Sequence, residues 1–197
     1  MNSYNIHEKY MSRAIHLAKK GQGKVSPNPM VGCVIVKNGE IIGEGYHKEF
    51  GGAHAEVEAF KNCIKDPTDG ALYVTLEPCS HHGKTGPCCN IIVENGIRDV
   101  YVSMLDPNKK VNGKGIEYLK NSGINVQCDI LKDEVKNLNK GYLHWIKTKR
   151  PLVIGKLAQD DRGFIAKKGF KVWITGASSK QNSHQLRSEV DAILVGK

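Results

Sequence analysis

The sequence predicts an α/β protein whose mixed β-sheet is covered by helices on both faces. Two observations support this fold class. Short runs of β-branched and aliphatic residues alternate along the chain with stretches of helical periodicity, an order typical of strands joined by helical crossovers. In addition, Asn38-Gly39 separates two apolar runs and therefore predicts a β-hairpin. The hairpin would give the sheet an antiparallel edge.

Each predicted element has its own local signal. Residues 5–20 repeat apolar side chains at helical spacing, and Gly21 is expected to end this helix. The continuous β-branched run at residues 31–36 predicts the first buried strand. Further short apolar runs predict strands at 41–42, 71–76, 100–104 and 124–126. Further stretches with apolar residues at helical spacing predict helices at 53–64, 88–95, 116–120 and 131–146.

A charged segment that ends in Pro151 predicts a boundary between a first domain, residues 1–147, and a second segment, residues 151–197. Within the second segment, apolar runs at 152–157, 173–175 and 192–195 predict strands. The 47 residues of this segment contain no elements that would close a sheet, so they are expected to form the start of an incomplete domain.

The composition is that of an ordinary globular protein, with 40% hydrophobic and 25% charged residues. No apolar run reaches the roughly 20 residues that a membrane span needs, and the N-terminus lacks the pattern of a secretory signal. Six cysteines without an export signal are expected to be thiols or metal ligands in the cytoplasm. The net charge of +9 is spread over scattered lysines. This distribution favours a diffuse basic surface, which would attract a phosphorylated small substrate, and argues against a nucleic-acid interface.

Four residues indicate the chemistry. His54, Cys79 and Cys88 offer one imidazole and two thiolates, a zinc-ligand set that leaves the fourth tetrahedral position open for water. Glu56 lies two residues from His54 and can move protons without being a ligand. The order His-x-Glu, then Pro-Cys, then a further Cys is the signature of zinc-dependent nucleobase deaminases.

The predicted helices support this interpretation. His54 and Glu56 are expected at the start of one helix and Cys88 at the start of another, where the partial positive charge of a helix N-terminus favours a thiolate. Zinc lowers the pKa of a bound water towards neutrality. Glu56 is expected to take the water proton and to pass it to the ring nitrogen and then to the departing amine.

Three alternatives remain open at this point. Cys89 could replace Cys88 as a ligand, although adjacent side chains diverge. His81 or His82 could supply a fourth ligand to a closed structural site, and the chain would then be a zinc-stabilised binding module. The nearest functional alternative is another zinc deaminase, one that acts on cytidine, deoxycytidylate or adenosine in tRNA.

The spacing of the cysteines narrows the choice. Eight residues, 80–87, separate Cys79 from Cys88, whereas the deaminase signature usually has two. The stretch from Glu77 to Cys89, Glu-Pro-Cys-Ser-His-His-Gly-Lys-Thr-Gly-Pro-Cys-Cys, resembles the bacterial riboflavin-biosynthesis deaminase/reductase family, in which this longer insertion is distinctive. The resemblance extends to residues 27–29, 31–36, 43–47, 54–56, 103–108 and 138–141.

This resemblance implies two enzymatic domains. The first would be a cytidine-deaminase-like three-layer α/β/α domain that removes the 2-amino group of 2,5-diamino-6-(5-phosphoribosylamino)pyrimidin-4-one. The second would be a dihydrofolate-reductase-like α/β domain that reduces the product with NADPH. The resemblance also implies that His54, Cys79 and Cys88 bind Zn²⁺ and that Glu56 is the proton donor. The residues that it implies for the pyrimidine and the ribose phosphate are Asn28, His47, His81 and Lys84.

The chain departs from the family pattern in two places. Gly86 stands where the family usually has proline, which is expected to loosen the loop between the cysteines. The turn at residues 160–163 differs from the family's Ser-Leu-Asp-Gly type, and only the opening of the reductase domain is matched. Within that opening the resemblance implies that Ala158 and Trp173 contact NADPH and that Arg187 contacts the substrate.

We therefore expect this chain to deaminate but not to reduce its product by itself. No glycine-rich phosphate loop of the Gly-x-Gly-x-x-Gly kind occurs in the sequence. The unpaired strand edges expected in the incomplete domain would favour self-association as a homo-oligomer.

Overall fold

The computed structural model describes residues 4–80, 86–108, 111–169 and 173–196. The chain divides into two compact units, Met1–Pro151 and Leu152–Lys197, and each is described by itself. Among the described residues, no helix is both long enough and apolar enough to cross a membrane.

The first unit contains one five-stranded sheet. Its strands are β1 Gly32–Lys37, β2 Glu40–Tyr46, β3 Ala71–Val74, β4 Asp99–Val102 and β5 Asn125–Gln127. Their order across the sheet is β2-β1-β3-β4-β5. β1 is antiparallel to both β2 and β3, whereas β3, β4 and β5 run parallel to one another. The predicted mixed sheet and its antiparallel hairpin edge are therefore confirmed.

Helices connect and cover these strands. Those of the first unit are α1 Tyr4–Lys19, α2 Ala55–Lys61, α3 Cys88–Glu94, α4 Lys114–Asn121, α5 Lys132–Leu138 and α6 Lys140–Thr148. α2 is shorter than the helix predicted at residues 53–64, and α4 is longer than the helix predicted at 116–120.

The alternation of side chains along β1 produces two hydrophobic cores, one on each face of the sheet. Cys33 and Ile35 pack in a cluster that contains Ala55 and Ala59 of α2. Val34 and Val36 point to the opposite face, into a cluster that includes apolar residues of α1 and α5. Each fully buried aliphatic side chain contributes about 1.5–3 kcal/mol to folding, so the two cores hold the three layers together.

The prediction of a single helix at residues 131–146 is wrong in one respect. The helix is divided at Asn139, which has φ −102° and ψ 23° and separates α5 from α6. Helical periodicity continues through this position, so the sequence pattern alone does not reveal the division. The division coincides with a tertiary contact of the Asn139 side chain with Met30.

The second unit contains one helix, α7 Ala177–Ser188, within the residues that are described. The strands predicted at residues 152–157, 173–175 and 192–195 are absent from the described part of this unit. An extended apolar segment becomes a strand only when a neighbour accepts its backbone hydrogen bonds, and the described residues of this unit offer these segments no such neighbour. Their side chains are accordingly exposed, as at Val153 (85%) and Leu194 (99%).

Candidate zinc site and its surroundings

Three elements converge on one side of the sheet to form the candidate site. His54 occupies the N-cap position of α2, and its backbone is extended, with φ −71° and ψ 159°. Cys88 is the first residue of α3. Cys79 follows β3 after a short buried connection that ends in Pro78. The helix-start positions predicted for His54 and Cys88 are thus confirmed.

These three side chains form a cluster of potential metal ligands. Their ligand atoms all lie within 4.8 Å of one another. Nδ1 of His54 is 3.2 Å from Sγ of Cys88 and 3.6 Å from Sγ of Cys79. One imidazole nitrogen and two sulfurs at this separation fit the donor set of a zinc site with an open coordination position.

The electrostatics of the cluster stabilise an anionic sulfur at Cys79. Hydrogen bonds from the Cys88 side chain and from His54 lower the pKa of Cys79 to about 4, so Cys79 is a thiolate at neutral pH. The backbone N–H of Cys88 also donates to Sγ of Cys79, at 3.3 Å. The hydrogen bond with Cys79 raises the pKa of His54 to about 9. The contact with Cys79 and burial together raise the pKa of the Cys88 thiol well above its ordinary value.

Glu56 lies beside this cluster in a water-poor environment. It is the second residue of α2 and is only 4% exposed. Burial is the main cause that raises the pKa of its carboxyl group. A carboxylate with a raised pKa takes up a proton more readily near neutral pH, which is the property that a general base requires.

The neighbouring cysteine does not belong to the cluster. Sγ of Cys89 donates to the carbonyl oxygens of Pro78 and Gly115, at 3.5 and 3.6 Å. Cys89 is completely buried, and burial raises the pKa of its thiol to about 12. Of the two adjacent cysteines, only Cys88 lies with His54 and Cys79.

A buried carboxylate supports the segment that contains Cys79. Oε2 of Glu77 accepts hydrogen bonds from the backbone N–H groups of Asp106 (3.2 Å) and Gly113 (2.9 Å), and Oε1 accepts one from Gly115 (2.9 Å). Gly115 packs so closely that a Cβ atom there would overlap the carbonyl oxygen of Pro78. Glu77 therefore fixes the Pro78-Cys79 segment against the start of α4.

Asn28 and His47 form a hydrogen-bonded pair next to His54. Nδ1 of His47 is 2.9 Å from the carbonyl oxygen of Ala53, and Nε2 is 3.1 Å from Nδ2 of Asn28. Because a carbonyl oxygen can only accept, Nδ1 carries the proton and Nε2 accepts from the Asn28 amide. The ring of His47 meets that of His54 edge-on, with centroids 6.0 Å apart.

The remaining predicted site residues either fall outside the described residues or belong to the second unit. His81 and Lys84 fall outside the described residues, as does His82. Ala158, Trp173 and Arg187 belong to the second unit, where Trp173 is 84% exposed and Arg187 lies in the last turn of α7. Their predicted roles towards NADPH and substrate stay predictions.

Two contacts that support the site, one from Asn139 and one from α6, are not predicted by local sequence patterns. The side chain of Asn139 forms two hydrogen bonds with the backbone of Met30, and the hydroxyl group of Tyr142 donates to Oδ1 of Asp106 at 2.8 Å. Their partners are 109 and 36 residues away along the chain, and pairings of this kind leave no periodic pattern in a single sequence.

Fold and site together define a zinc-dependent deaminase of the cytidine-deaminase type. In agreement, residues 4–104 match the family described as "Cytidine and deoxycytidylate deaminase zinc-binding region". The "Diaminohydroxyphosphoribosylamino-pyrimidine deaminase" of Buchnera aphidicola subsp. Schizaphis graminum is 48% identical over 142 residues, which cover 72% of this chain and 97% of that protein. The chain belongs to this family of riboflavin-biosynthesis deaminases.

Longer relatives match almost the whole chain. The riboflavin biosynthesis protein RibD of Actinobacillus pleuropneumoniae is 48% identical over 188 residues, which cover 95% of this chain and 50% of RibD. The crystal structure of the deaminase/reductase from Thermotoga maritima superposes with a TM-score of 0.90 at 44% identity, over 94% of this chain and 54% of that one. The chain thus spans about half the length of the bifunctional relatives that it matches.

Proposed function

We propose that this chain catalyses the hydrolytic deamination of 2,5-diamino-6-(5-phosphoribosylamino)pyrimidin-4-one, a step of riboflavin biosynthesis. Water adds at C2, the bond from C2 to its amino group breaks, and ammonia and 5-amino-6-(5-phosphoribosylamino)uracil are formed. The observation that carries this proposal is the cluster of His54, Cys79 and Cys88 with the buried Glu56 beside it. The near-complete coverage of a Buchnera deaminase supports the choice of substrate.

Three side chains would hold the metal. His54 through Nδ1 and the two cysteines through Sγ are the ligands of the proposed site. Zinc, when bound, supplies the Lewis acidity that makes water nucleophilic near neutral pH. Cys79 would supply a thiolate ligand at neutral pH, because its pKa is lowered to about 4.

Glu56 would move the protons of the reaction. Its carboxylate accepts a proton from the attacking water, because burial has raised its pKa. It delivers this proton to the ring nitrogen, then takes the remaining proton of the former water from the hydroxyl group on C2 and delivers it to the departing amino group. Two protons are taken up and two are delivered, so the proton count at Glu56 is unchanged after each turnover. Burial also excludes bulk water, which would otherwise compete for the same proton.

Asn28 and His47 would bind and orient the pyrimidine. Since Nδ2 of Asn28 donates to His47, Oδ1 of Asn28 is left to accept a hydrogen bond from an N–H group of the substrate. By resemblance, His81 and Lys84 would complete the contacts with the sugar and its phosphate, and Lys84 would supply the positive charge that a phosphate requires.

We also propose a division of functions along the chain. Residues 1–147 would form the deaminase domain, and residues 151–197 would be the N-terminal part of a reductase domain, in which Ala158 and Trp173 contact NADPH and Arg187 contacts substrate. The lack of strands in the described part of the second unit and the half-length coverage of RibD support this assignment. We propose that the chain by itself does not oxidise NADPH and that it acts in the cytoplasm on a small-molecule substrate.

Two cysteine variants test the proposed function. Cys88→Ser should lower both the zinc content and the release of ammonia from the diaminopyrimidine phosphate. Cys89→Ser changes the adjacent buried thiol but should keep zinc and activity, because Cys89 faces Pro78 and Gly115. Full activity of the Cys88→Ser protein would contradict the proposed site. A wild-type protein that holds zinc but releases ammonia only from tRNA or cytidine would contradict the proposed substrate.

A further inference from the structure

We infer that Asn139 is a positioning residue for the proposed deamination: it holds the backbone next to Asn28 so that the Asn28 amide meets the pyrimidine. The inference rests on the proposed function for its consequence in catalysis. Asn139 belongs to the Leu-Asn-Lys-Gly segment, residues 138–141, and the zinc chemistry assigns no role to this segment.

The contact itself is a two-point clamp. Oδ1 of Asn139 accepts the backbone N–H of Met30 at 2.8 Å, and Nδ2 donates to the carbonyl oxygen of the same residue at 3.0 Å. Asn139 is only 2% exposed, so water does not compete for these bonds. A side-chain amide that pairs with both polar groups of one residue fixes its orientation as well as its position.

The clamp lies next to the proposed substrate contact. Met30 follows Asn28 with only Pro29 between them, and proline fixes its own φ near −65°. Few backbone dihedral angles between Met30 and Asn28 can therefore rotate to absorb a displacement of Met30, so such a displacement would also move Asn28. The Asn28 side chain is held in turn by Nε2 of His47. Asn139 thus fixes the backbone of this loop, and His47 fixes the amide that the loop presents.

The contact with Met30 occurs at the residue that divides α5 from α6. The residue interrupts what would otherwise be one helix, with α5 ending at Leu138 and α6 beginning at Lys140. One turn later, Tyr142 of α6 donates to Asp106, whose backbone N–H is bound by Glu77. The same helix therefore contacts both the Asn28 loop and the scaffold of Cys79.

A purely structural role for Asn139 predicts a different outcome from a positioning role. A residue that only stabilises the fold would, on substitution, lower the melting temperature and the amount of active enzyme, with KM unchanged in the folded fraction. A positioning residue would raise KM while zinc binding and the chemistry at Glu56 persist. The two roles are therefore separated by which kinetic constant changes: the apparent kcat for a purely structural role, and KM for a positioning role.

The test uses the full chain loaded with zinc and the variant Asn139→Leu, which keeps approximate volume but loses both hydrogen bonds. Asn62→Leu is the control for the type of substitution. Asn62, the exposed C-cap residue of α2, also donates through Nδ2 to a distant backbone carbonyl, that of Glu44 at 2.9 Å. The measurements are kcat, KM, zinc content and amide hydrogen exchange. Asn139→Asp keeps the acceptor for the Met30 N–H and carries the test if the leucine variant does not fold.

For Asn139→Leu we expect KM to rise about tenfold, the factor that corresponds to loss of roughly one net hydrogen bond, with kcat within about threefold of wild type. Amide exchange should accelerate in peptides that cover residues 26–31 and not across the sheet. The Asn62→Leu protein should match the wild type in both respects.

An unchanged KM, or faster exchange throughout the chain with loss of zinc, would overturn the inference. If the wild type itself releases no ammonia, the proposed function fails, and that result is distinct. The exchange measurement then decides alone whether Asn139 holds the Asn28 loop, and equal exchange in variant and wild type would refute it.

Discussion

Glu56 is the residue that the proposed mechanism requires for every proton transfer. Replacement of Glu56 by glutamine keeps the shape of the side chain but removes the group that exchanges protons. We expect turnover to fall about 100- to 10,000-fold, the range typical of general acid–base catalysis, while the zinc content stays that of the wild type. The measurements are ammonia release and metal analysis of the same preparation.

Glu58→Gln is the matched control for this substitution. Glu58 lies on the same helix, is also buried and forms an ion pair with Lys48. Its loss should affect stability more than turnover, since its carboxylate pairs with Lys48, whereas that of Glu56 interacts with His54, Cys79 and Cys88. Comparable loss of turnover in both variants would show that the helix tolerates no change, and would remove the case for Glu56 as the proton carrier.

At the scale of elements, the junction between the Cys79 segment and α4 depends on a glycine. A methyl group at Gly115 would overlap the carbonyl oxygen of Pro78 and crowd the carboxylate of Glu77. We expect Gly115→Ala to lower the free energy of unfolding by about 2 kcal/mol, as overpacking commonly does, and to weaken zinc binding. Chemical denaturation and chelator competition would measure the two effects.

Gly141→Ala is expected to have the opposite effect on the free energy of unfolding. Gly141 lies in α6 with no atom near the position of a new Cβ, so alanine should stabilise the protein by about 0.5–1 kcal/mol through helix propensity. Equal effects of the two substitutions would indicate that close packing at Gly115 is unimportant.

The ion pair between α1 and β2 gives the first unit a predictable response to acid. The guanidinium group of Arg13 donates two hydrogen bonds to Glu44, at 2.6 and 2.8 Å, and these bonds lower the pKa of the Glu44 carboxyl below its ordinary 4.5. A carboxyl whose pKa is lowered by folding stabilises the protein above its unfolded pKa, and this stability is lost as pH falls through the folded value.

Glu44→Gln should therefore reduce the free energy of unfolding at pH 7 by about 0.5 kcal/mol, a value kept small because both side chains are partly exposed to solvent. Near pH 3 the difference from wild type should disappear. Urea denaturation at several pH values measures it, with the exposed Glu94→Gln as control. A difference that grows towards low pH would contradict the assigned sign.

The elements also show what a single sequence can and cannot predict. The hairpin at Asn38-Gly39, the placement of His54 and Glu56 on α2 and the start of α3 at Cys88 follow from local patterns, because turn chemistry and periodicity act over a few residues. The division of the last helix at Asn139 coincides with a contact to a partner 109 residues away, which no local pattern reveals. The strands predicted at residues 152–157 and 192–195 failed because a strand also requires a neighbour.

At the scale of the whole molecule, the two units should differ in resistance to proteolysis. Large apolar side chains of the second unit are exposed, including Val153 (85%) and Trp173 (84%), and its described residues form no strand. Trypsin should therefore cleave first at residues such as Lys156, Lys167 or Lys168. A fragment close to Met1–Pro151 should persist and keep its zinc. Initial cleavage within the sheet of the first unit would contradict this expectation.

We propose, as the central claim, that a deaminase site is joined to a segment of a reductase domain that does not oxidise NADPH by itself. One paired measurement tests it most directly: zinc-loaded protein is incubated with the diaminopyrimidine phosphate and NADPH, and ammonia release and NADPH oxidation are followed together. We predict ammonia release without NADPH oxidation. Oxidation of NADPH in step with deamination would contradict the claim about the second unit, and zinc-loaded protein that releases no ammonia would contradict the claim about the first.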